Sequence, residues 1–162
     1  MNGEAGETLG EEYAEYHRYP NALPFIISGT TSFSPTLDCS RILVCGSRVY
    51  DDWKSMYDIL YLFRDEEVHW CHGGAKGADS MAGTIIEYLR KSLGLKLTWM
   101  LDIYPAFWGA EGPSALPKRN QRMIDGHKPT LVIAFKSPGG GGVGTNDMIK
   151  RATKAGVPVW EP

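Results

Sequence analysis

The fold is decided by residues 131–155, LVIAFKSPGGGGVGTNDMIKRATKA, in which a loop with five glycines joins an apolar run to a helical pattern. The unbroken apolar run Leu131–Phe135 is typical of a strand that is buried on both faces. A helix is predicted over Thr145–Ala155, with Thr145 or Asn146 as its N-cap. A strand that passes directly into a helix is the repeating unit of α/β folds with a parallel sheet.

The rest of the chain from residue 41 alternates in the same way. We therefore expect an α/β fold, a Rossmann-like three-layer sandwich with about five parallel strands. Further strands are predicted at Arg41–Cys45, Val68–Cys71, Lys96–Ile103 and Val157–Trp160, and further helices at Asp51–Phe63, Ala78–Leu93 and Leu116–Ile124. For the strand order 3-2-1-4-5, ligands bind between the first and fourth strands, where Gly46, Ser47 and Arg48 would meet the glycine loop.

Composition and charge divide the chain into two parts. The 162 residues, 43% hydrophobic and 22% charged, are typical of one soluble globular domain. Residues 1–40 carry six acidic side chains and one basic, whereas residues 41–162 carry sixteen basic and thirteen acidic. We expect residues 1–40 to be an acidic, partly disordered extension or arm, and residues 41–162 to be the ligand-binding domain. The weak basic excess and the acidic tail argue against DNA binding, which needs a clear basic stripe.

Cysteine usage and hydropathy predict a cytoplasmic protein. The three cysteines, Cys39, Cys45 and Cys71, cannot all pair with one another, and two of them lie in strand-like apolar runs. No apolar run approaches the roughly 20 residues that span a bilayer, so we expect no membrane partner. His69 and His72 lie near these cysteines, but no metal-ligand spacing links them and strand residues alternate faces, so we expect no metal.

The glycine loop is the first candidate phosphate site. Glycines allow a ligand to approach the backbone closely, and a helix N-terminus offers unpaired N–H donors and partial positive charge. The candidate residues are Gly140, Gly141, Gly142, Gly144 and Thr145. The dinucleotide fingerprint belongs after the first strand, where only Gly46 is present, and no Walker A motif occurs.

Two further segments carry candidate phosphate ligands. In the loop after the second strand, Gly73 and Gly74 allow close approach, Asp79 could cap the following helix, and Lys76 either reaches a phosphate or is solvated. In the segment KRNQRM (118–123), the planar guanidinium of Arg119 suits a phosphate, whereas Lys118 and Arg122 are expected to face solvent.

The aromatic residues are predicted to be mainly structural. Trp53, Tyr57 and Tyr61 recur at helical spacing and are expected in the core. Phe107 and Trp108 follow Pro105 in a loop, where they either stack on a base or cover the edge of the sheet.

The order of the motifs resembles the SLOG superfamily, and most closely its YspA-like branch of small proteins of unknown function, common in bacteria and phages. The motifs are RILVCGSR (41–48), HGGAKGADSMA (72–82), PKRNQRM (117–123), GGVGTNDMIKRA (141–152) and AGVPVW (155–160). The superfamily has a Rossmann-like fold and includes the Lonely Guy phosphoribohydrolases and the DprA DNA-processing proteins. Residues 141–145 are similar to the family's GGxGT phosphate loop, and Arg119 and Met123 to the arginine and methionine of the hydrolases' RKxxM segment.

Two departures from the hydrolases bear on function. Met148 stands where the hydrolases carry glutamate, and Asn120 replaces their usual lysine. A hydrolase of this type needs a carboxylate to stabilise the positive charge that develops on the ribose. Asp147, typical of the YspA-like branch, is expected to contact a ribose hydroxyl; if the protein is a hydrolase, Arg119 and Asp147 are its catalytic candidates.

The resemblance implies binding of a nucleotide-derived small molecule, with no further cofactor, by a sensor or, in a phage, by a protein that sequesters a host immune signal. The alternatives are an N-glycosidic hydrolase of nucleotides and DNA binding of the DprA kind. We expect a homodimer or larger homo-oligomer, located in the cytoplasm and, if phage-encoded, in that of the host.

Overall fold

The structure is a computed structural model that describes residues 38–162. Except for its last three residues, the acidic arm predicted at residues 1–40 lies outside the described residues. Five strands form a single sheet in the order β3-β2-β1-β4-β5, and every pairing is parallel. The strands are β1 (Arg41–Gly46), β2 (Val68–His72), β3 (Trp99–Ile103), β4 (Leu131–Phe135) and β5 (Val159–Trp160). The predicted Rossmann-like α/β sandwich is confirmed.

Helices connect the strands and cover both faces of the sheet. They are α1 (Trp53–Tyr61), α2 (Ala78–Ser92), α3 (Trp108–Glu111), α4 (Ala115–Arg122) and α5 (Gly142–Lys154), with a 3₁₀ turn at Gly112–Ser114 and a π-helical turn at Met123–His127. Asp52 caps the beginning of α1, because its carboxylate accepts a hydrogen bond from the Ser55 N–H at 3.0 Å. None of the helices described is long and apolar enough to cross a bilayer.

Two predicted boundaries were wrong by three residues and one predicted loop is helical, whereas the other boundaries agree within two residues. Strand β3 begins at Trp99 rather than Lys96. The segment after Pro105, expected to be a loop, contains helix α3. Helix α5 begins at Gly142, three residues before the predicted cap, so Thr145 lies inside the helix, where it is only 3% exposed.

The core lies in two layers, one on each face of the sheet. Helices α1 and α2 pack on the first face, against residues such as Ile42 and Trp70. The π-helical turn and α5 pack on the second, against residues such as Leu43 and Val132. Alternate residues of β1 therefore enter different layers, as strand geometry requires.

The prediction that Trp53 belongs to the core was wrong. Its side chain is 45% exposed, whereas Tyr57 and Tyr61 pack against the core. The three rings stack in series, with centroids 5.1 Å apart for Trp53 and Tyr57 and 5.8 Å for Tyr57 and Tyr61. Trp53 is the first residue of α1, so it lies at the outer end of this aromatic stack.

Gly46 allows β1, β4 and α2 to approach one another closely. A Cβ atom at this position would lie 2.2 Å from the Phe135 carbonyl oxygen and 2.6 Å from the Ala78 Cβ. Neither neighbour is the end of a flexible side chain, so the backbone itself would have to move. The next residue, Ser47, donates its backbone N–H to the same Phe135 oxygen at 2.9 Å, which keeps the end of β1 beside β4.

We expect Gly46→Ala to lower the free energy of unfolding by about 1–3 kcal/mol, as overpacking of a filled site does. Gly139→Ala is the control, because a Cβ there meets nothing within 4 Å. Urea denaturation measures both. Equal stability of Gly46→Ala and the wild type would contradict the close approach described here.

Candidate functional site

The carboxyl ends of β1 and β4 open into a cavity of about 350 Å³. It lies where the strand order reverses, which is the usual ligand position in open α/β sheets. The polar and glycine positions that line it are Gly46, Ser47, Arg48, Asp79, Arg119, Asn120, Gly141, Gly142, Gly144 and Thr145. These residues come from four separate segments of the sequence, each of which was predicted to carry part of the ligand site.

Arg119 is the buried cation of this cavity. Its side chain is only 5% exposed, although it lies on helix α4. Nη1 donates a short hydrogen bond to the Gly73 carbonyl, and Nε donates to the Asn120 side-chain oxygen at 3.0 Å. Burial lowers the pKa of Arg119, with neighbouring Asp79 acting in the opposite direction, but an arginine remains charged near neutral pH. The other terminal nitrogen of the guanidinium, Nη2, takes part in neither of these two hydrogen bonds.

Gly73 makes room for that guanidinium. A Cβ at Gly73 would lie 1.7 Å from Nη1 and 2.3 Å from Cζ of Arg119. The glycine was predicted to let a ligand approach the backbone, but what approaches it here is the arginine side chain. Any larger residue at position 73 would displace Arg119 from its hydrogen bonds.

The sequence predicted that Asp79 caps helix α2. In the structure Asp79 instead holds the loop between β2 and α2. Its Oδ2 accepts the backbone N–H groups of Gly73 at 2.9 Å and Ala75 at 3.3 Å. Helix α2 has Gly77 at its N-cap, with no side-chain cap. Burial raises the pKa of Asp79 to about 6, although Arg119 and the two N–H donors act to lower it.

The glycine loop places the beginning of α5 on the opposite wall of the cavity. The N-cap, Gly141, offers no side chain to the first turn, and that turn carries no acidic residue. The backbone at Gly142 has φ +80°, in the region that favours glycine. Gly140 does not line the cavity; it forms a turn in which its N–H donates to the Ser137 carbonyl at 2.7 Å.

A second cavity of about 430 Å³ shares Arg48, Ala75, Leu116 and Arg119 with the first. Its other lining residues include the predicted candidates Gly73, Gly74 and Lys76, and the apolar side chains of Ile103, Pro105 and Trp108. Trp108 is 52% exposed. Phe107 does not line this cavity, and its ring lies under the guanidinium of Arg122 at 4.6 Å.

Asp147 lines neither cavity. Its Oδ2 accepts hydrogen bonds from the Asn120 side-chain amide and from Nε of Arg151, both at 2.8 Å. Asn120 is buried and also donates to the Gly144 carbonyl at 3.1 Å, so it ties Arg119 to the beginning of α5. Met148, at the position of the hydrolases' glutamate, is fully buried in the core.

Sequence reasoning missed the apolar part of the lining. Ala75 and Leu116 border both cavities, and Val49 borders the first. No chemical signal distinguishes such residues in a single sequence. Their position beside loops that follow strands was the only available clue.

No protein-family model matches the chain. The Gene 61 protein of Mycobacterium phage D29 is 33% identical over an alignment of 126 positions that covers 74% of this chain and 93% of that protein. This chain belongs to the same family. The relative is a phage protein, in agreement with the expectation from sequence that such proteins occur in phages.

The fold is similar to that of a larger bacterial protein. The X-ray structure of DNA processing protein A (DprA) from Streptococcus pneumoniae matches with a TM-score of 0.53 and 20% identity. The match covers 77% of this chain and 50% of DprA, so the chain spans about half the length of that protein. At this identity the match shows the fold alone, and membership of the SLOG superfamily stays a prediction. Membership of the YspA-like branch stays a prediction.

The raised pKa of Asp79 predicts a specific pH dependence of stability. Between the ordinary aspartate pKa of 3.8 and about 6, the folded protein holds a proton that the unfolded chain has lost. The contribution of Asp79 to the free energy of unfolding therefore falls as pH rises through this range, by on the order of 2–3 kcal/mol. Asp79→Asn should abolish this contribution.

The measurement is the difference in unfolding free energy between the wild type and Asp79→Asn from pH 4 to pH 7. The difference is used because His72 also titrates in this range. Burial lowers the pKa of His72 to about 4, so its contribution raises the free energy of unfolding as pH rises, opposite to that of Asp79. A constant difference would show that Asp79 titrates normally.

Proposed function

We propose that this protein binds a small nucleotide-derived molecule and holds its phosphate between Arg119 and the first turn of α5. The observation that carries the proposal is the buried guanidinium of Arg119 in a cavity whose other wall is an uncapped helix N-terminus. A buried charge is costly to maintain without a partner. A phosphate would be bound by the guanidinium on one side and by backbone N–H donors on the other.

The charges around the first cavity suit an anion. Arg48 and Arg119 line it, and the one carboxyl group in the lining, that of Asp79, is already bound to two backbone N–H groups. The α5 dipole adds partial positive charge at Gly142 and the residues that follow it.

The second cavity suits the rest of a nucleotide. It adjoins the first along Arg119, and Trp108, Ile103 and Pro105 give it an aromatic and apolar wall. A base stacked on Trp108 would leave the phosphate free to reach Arg119. Base–aromatic stacking contributes about 1–3 kcal/mol per base.

The biological role that we propose is ligand binding without chemistry, in a sensor or a sequestering protein. The phage relative favours the second role, removal of a host immune nucleotide signal from the host cytoplasm. We also propose that the protein forms a homodimer or larger homo-oligomer. Light scattering tests this by measuring the molar mass in solution.

The nucleotide hydrolase has less support. It needs a carboxylate beside the ribose, and position 148 is a fully buried methionine. Asp147 is engaged with Asn120 and Arg151 outside both cavities. DNA binding has no support beyond the fold shared with half of DprA.

The full chain is purified and denatured, and the molecules it releases are identified by mass spectrometry. The native protein is then incubated with mononucleotides, cyclic dinucleotides and ADP-ribose derivatives. Stoichiometric intact ligand supports binding without chemistry. Release of free base would identify a hydrolase, and binding of none of these compounds would contradict the proposal.

Replacing Arg119 tests the phosphate contact. We expect Arg119→Lys to weaken binding of the identified nucleotide about tenfold to a hundredfold, because the charge remains but the planar fork is lost. The matched control is Arg122→Lys on the same helix, since Arg122 pairs with Glu111 and lines neither cavity. Isothermal titration calorimetry measures the affinities.

Gly73→Ala gives the same test without removing Arg119 from the chain. Its added Cβ displaces the guanidinium, so affinity should fall, whereas Gly139→Ala should bind as the wild type does. Unchanged affinity in both Arg119→Lys and Gly73→Ala would exclude Arg119 from the site.

Replacing Trp108 distinguishes the contribution of the base to binding from that of the phosphate. Trp108→Ala should weaken nucleotide binding by about 1–3 kcal/mol and leave binding of inorganic phosphate unchanged. Trp53→Ala is the control, because Trp53 is similarly exposed but lines neither cavity. An equal effect of the two substitutions would contradict a base on Trp108.

A further inference from the structure

Three side chains that commonly bind metals meet on the second face of the sheet. One ligand atom from each of His69, Asp102 and His127 lies within 4.8 Å of the other two. Nε2 of His69 is 2.7 Å from Oδ2 of Asp102, and the ring centroids of His69 and His127 are 4.9 Å apart. None of the three lines either cavity described above.

The strand register explains how distant residues converge. His69 and Cys71 point to the same face of β2, because strand residues alternate. Cys71 is the partner of Asp102 in the pairing of β2 with β3, so the carboxylate lies diagonally beside His69 on that face. His127 ends the π-helical turn that packs on the same face.

The imidazole of His127 is buried beside the other two side chains. Its side chain is only 1% exposed, and neither ring nitrogen makes a hydrogen bond of normal geometry, although the His69 backbone lies beside the ring. A buried polar group normally has a partner, because leaving it unpaired costs about 1–3 kcal/mol. The edge-on packing of the two imidazoles keeps this unpaired ring within the cluster.

We propose that His69, Asp102 and His127 form a binding site for a divalent transition-metal ion of the zinc class. Two imidazole nitrogens and one carboxylate oxygen are a donor set that such ions accept, and three protein ligands leave a fourth position for water. On binding, the ion replaces the hydrogen bond between His69 and Asp102 and supplies the missing partner of His127.

The surroundings allow an ion to enter and the ligands to stay in place. The Asp102 side chain is about half exposed, which gives a path from solvent. Nε of Arg41 donates a short hydrogen bond to the His127 carbonyl, which holds in place the backbone that carries this ligand. The Asp102 carboxylate would attract the ion, and its negative charge would offset the positive charge of Arg41.

The test uses the purified full chain after removal of metals with a chelator. Zn²⁺ is titrated in competition with a chromogenic chelator, and Co²⁺ is added separately to record its visible absorption. We expect one Zn²⁺ per chain whose affinity falls at least about tenfold in both Asp102→Asn and His127→Gln, because loss of even an outer-shell partner costs that much. The Co²⁺ spectrum should be lost in both variants.

His17→Gln is the control, since it removes a histidine that the proposal does not use. Circular dichroism shows whether the buried substitution His127→Gln folds; if it does not, Asp102→Asn decides alone. Absence of Zn²⁺ binding in the wild type, or binding that Asp102→Asn leaves unchanged, would overturn the proposal. Loss of nucleotide binding in the Arg119 variants would leave this test unaffected.

Discussion

The site depends on one buried positive charge. Arg119 lies at the point where the ends of β1 and β2 and the beginning of α5 come together, and its side chain is nearly inaccessible to water. Burying a guanidinium costs free energy that hydrogen bonds and nearby negative charge must offset. The Gly73 carbonyl and the Asn120 side chain supply two of those hydrogen bonds, and Asp79 is the neighbouring carboxyl group. An anionic ligand would complete this compensation, which is why we propose a phosphate in this cavity.

The glycines serve two different physical purposes. At Gly46 and Gly73 a Cβ would collide with the backbone of β4 or with Arg119, so these residues are required by packing. At Gly140 and Gly142 a Cβ would meet nothing, but φ is +100° and +80°. These two are required by the backbone path of the loop, because other residues rarely adopt such φ values. These four glycines therefore serve packing and a fixed backbone path and not chain flexibility.

Sequence reasoning predicted the strands, their parallel arrangement and most of the residues that line the first cavity, because buried strands and glycine loops have strong local signals. It failed where tertiary contacts decide. Asp79 has the position of a helix cap, yet it binds the preceding loop, and nothing local distinguishes the two roles. Trp108 was left between two interpretations because only the folded chain places it beside Arg119. The cluster of His69, Asp102 and His127 was not foreseen, since its members come from three elements that are far apart in the chain.

The central claim is that a phosphate lies between Arg119 and the beginning of α5. It is tested most directly by a crystal structure of the protein with the nucleotide that it releases on denaturation. The account predicts phosphate density within hydrogen-bonding distance of the Arg119 guanidinium and of backbone N–H groups in residues 142–145. Density for the ligand elsewhere, with Arg119 still bound only to Gly73 and Asn120, would contradict it.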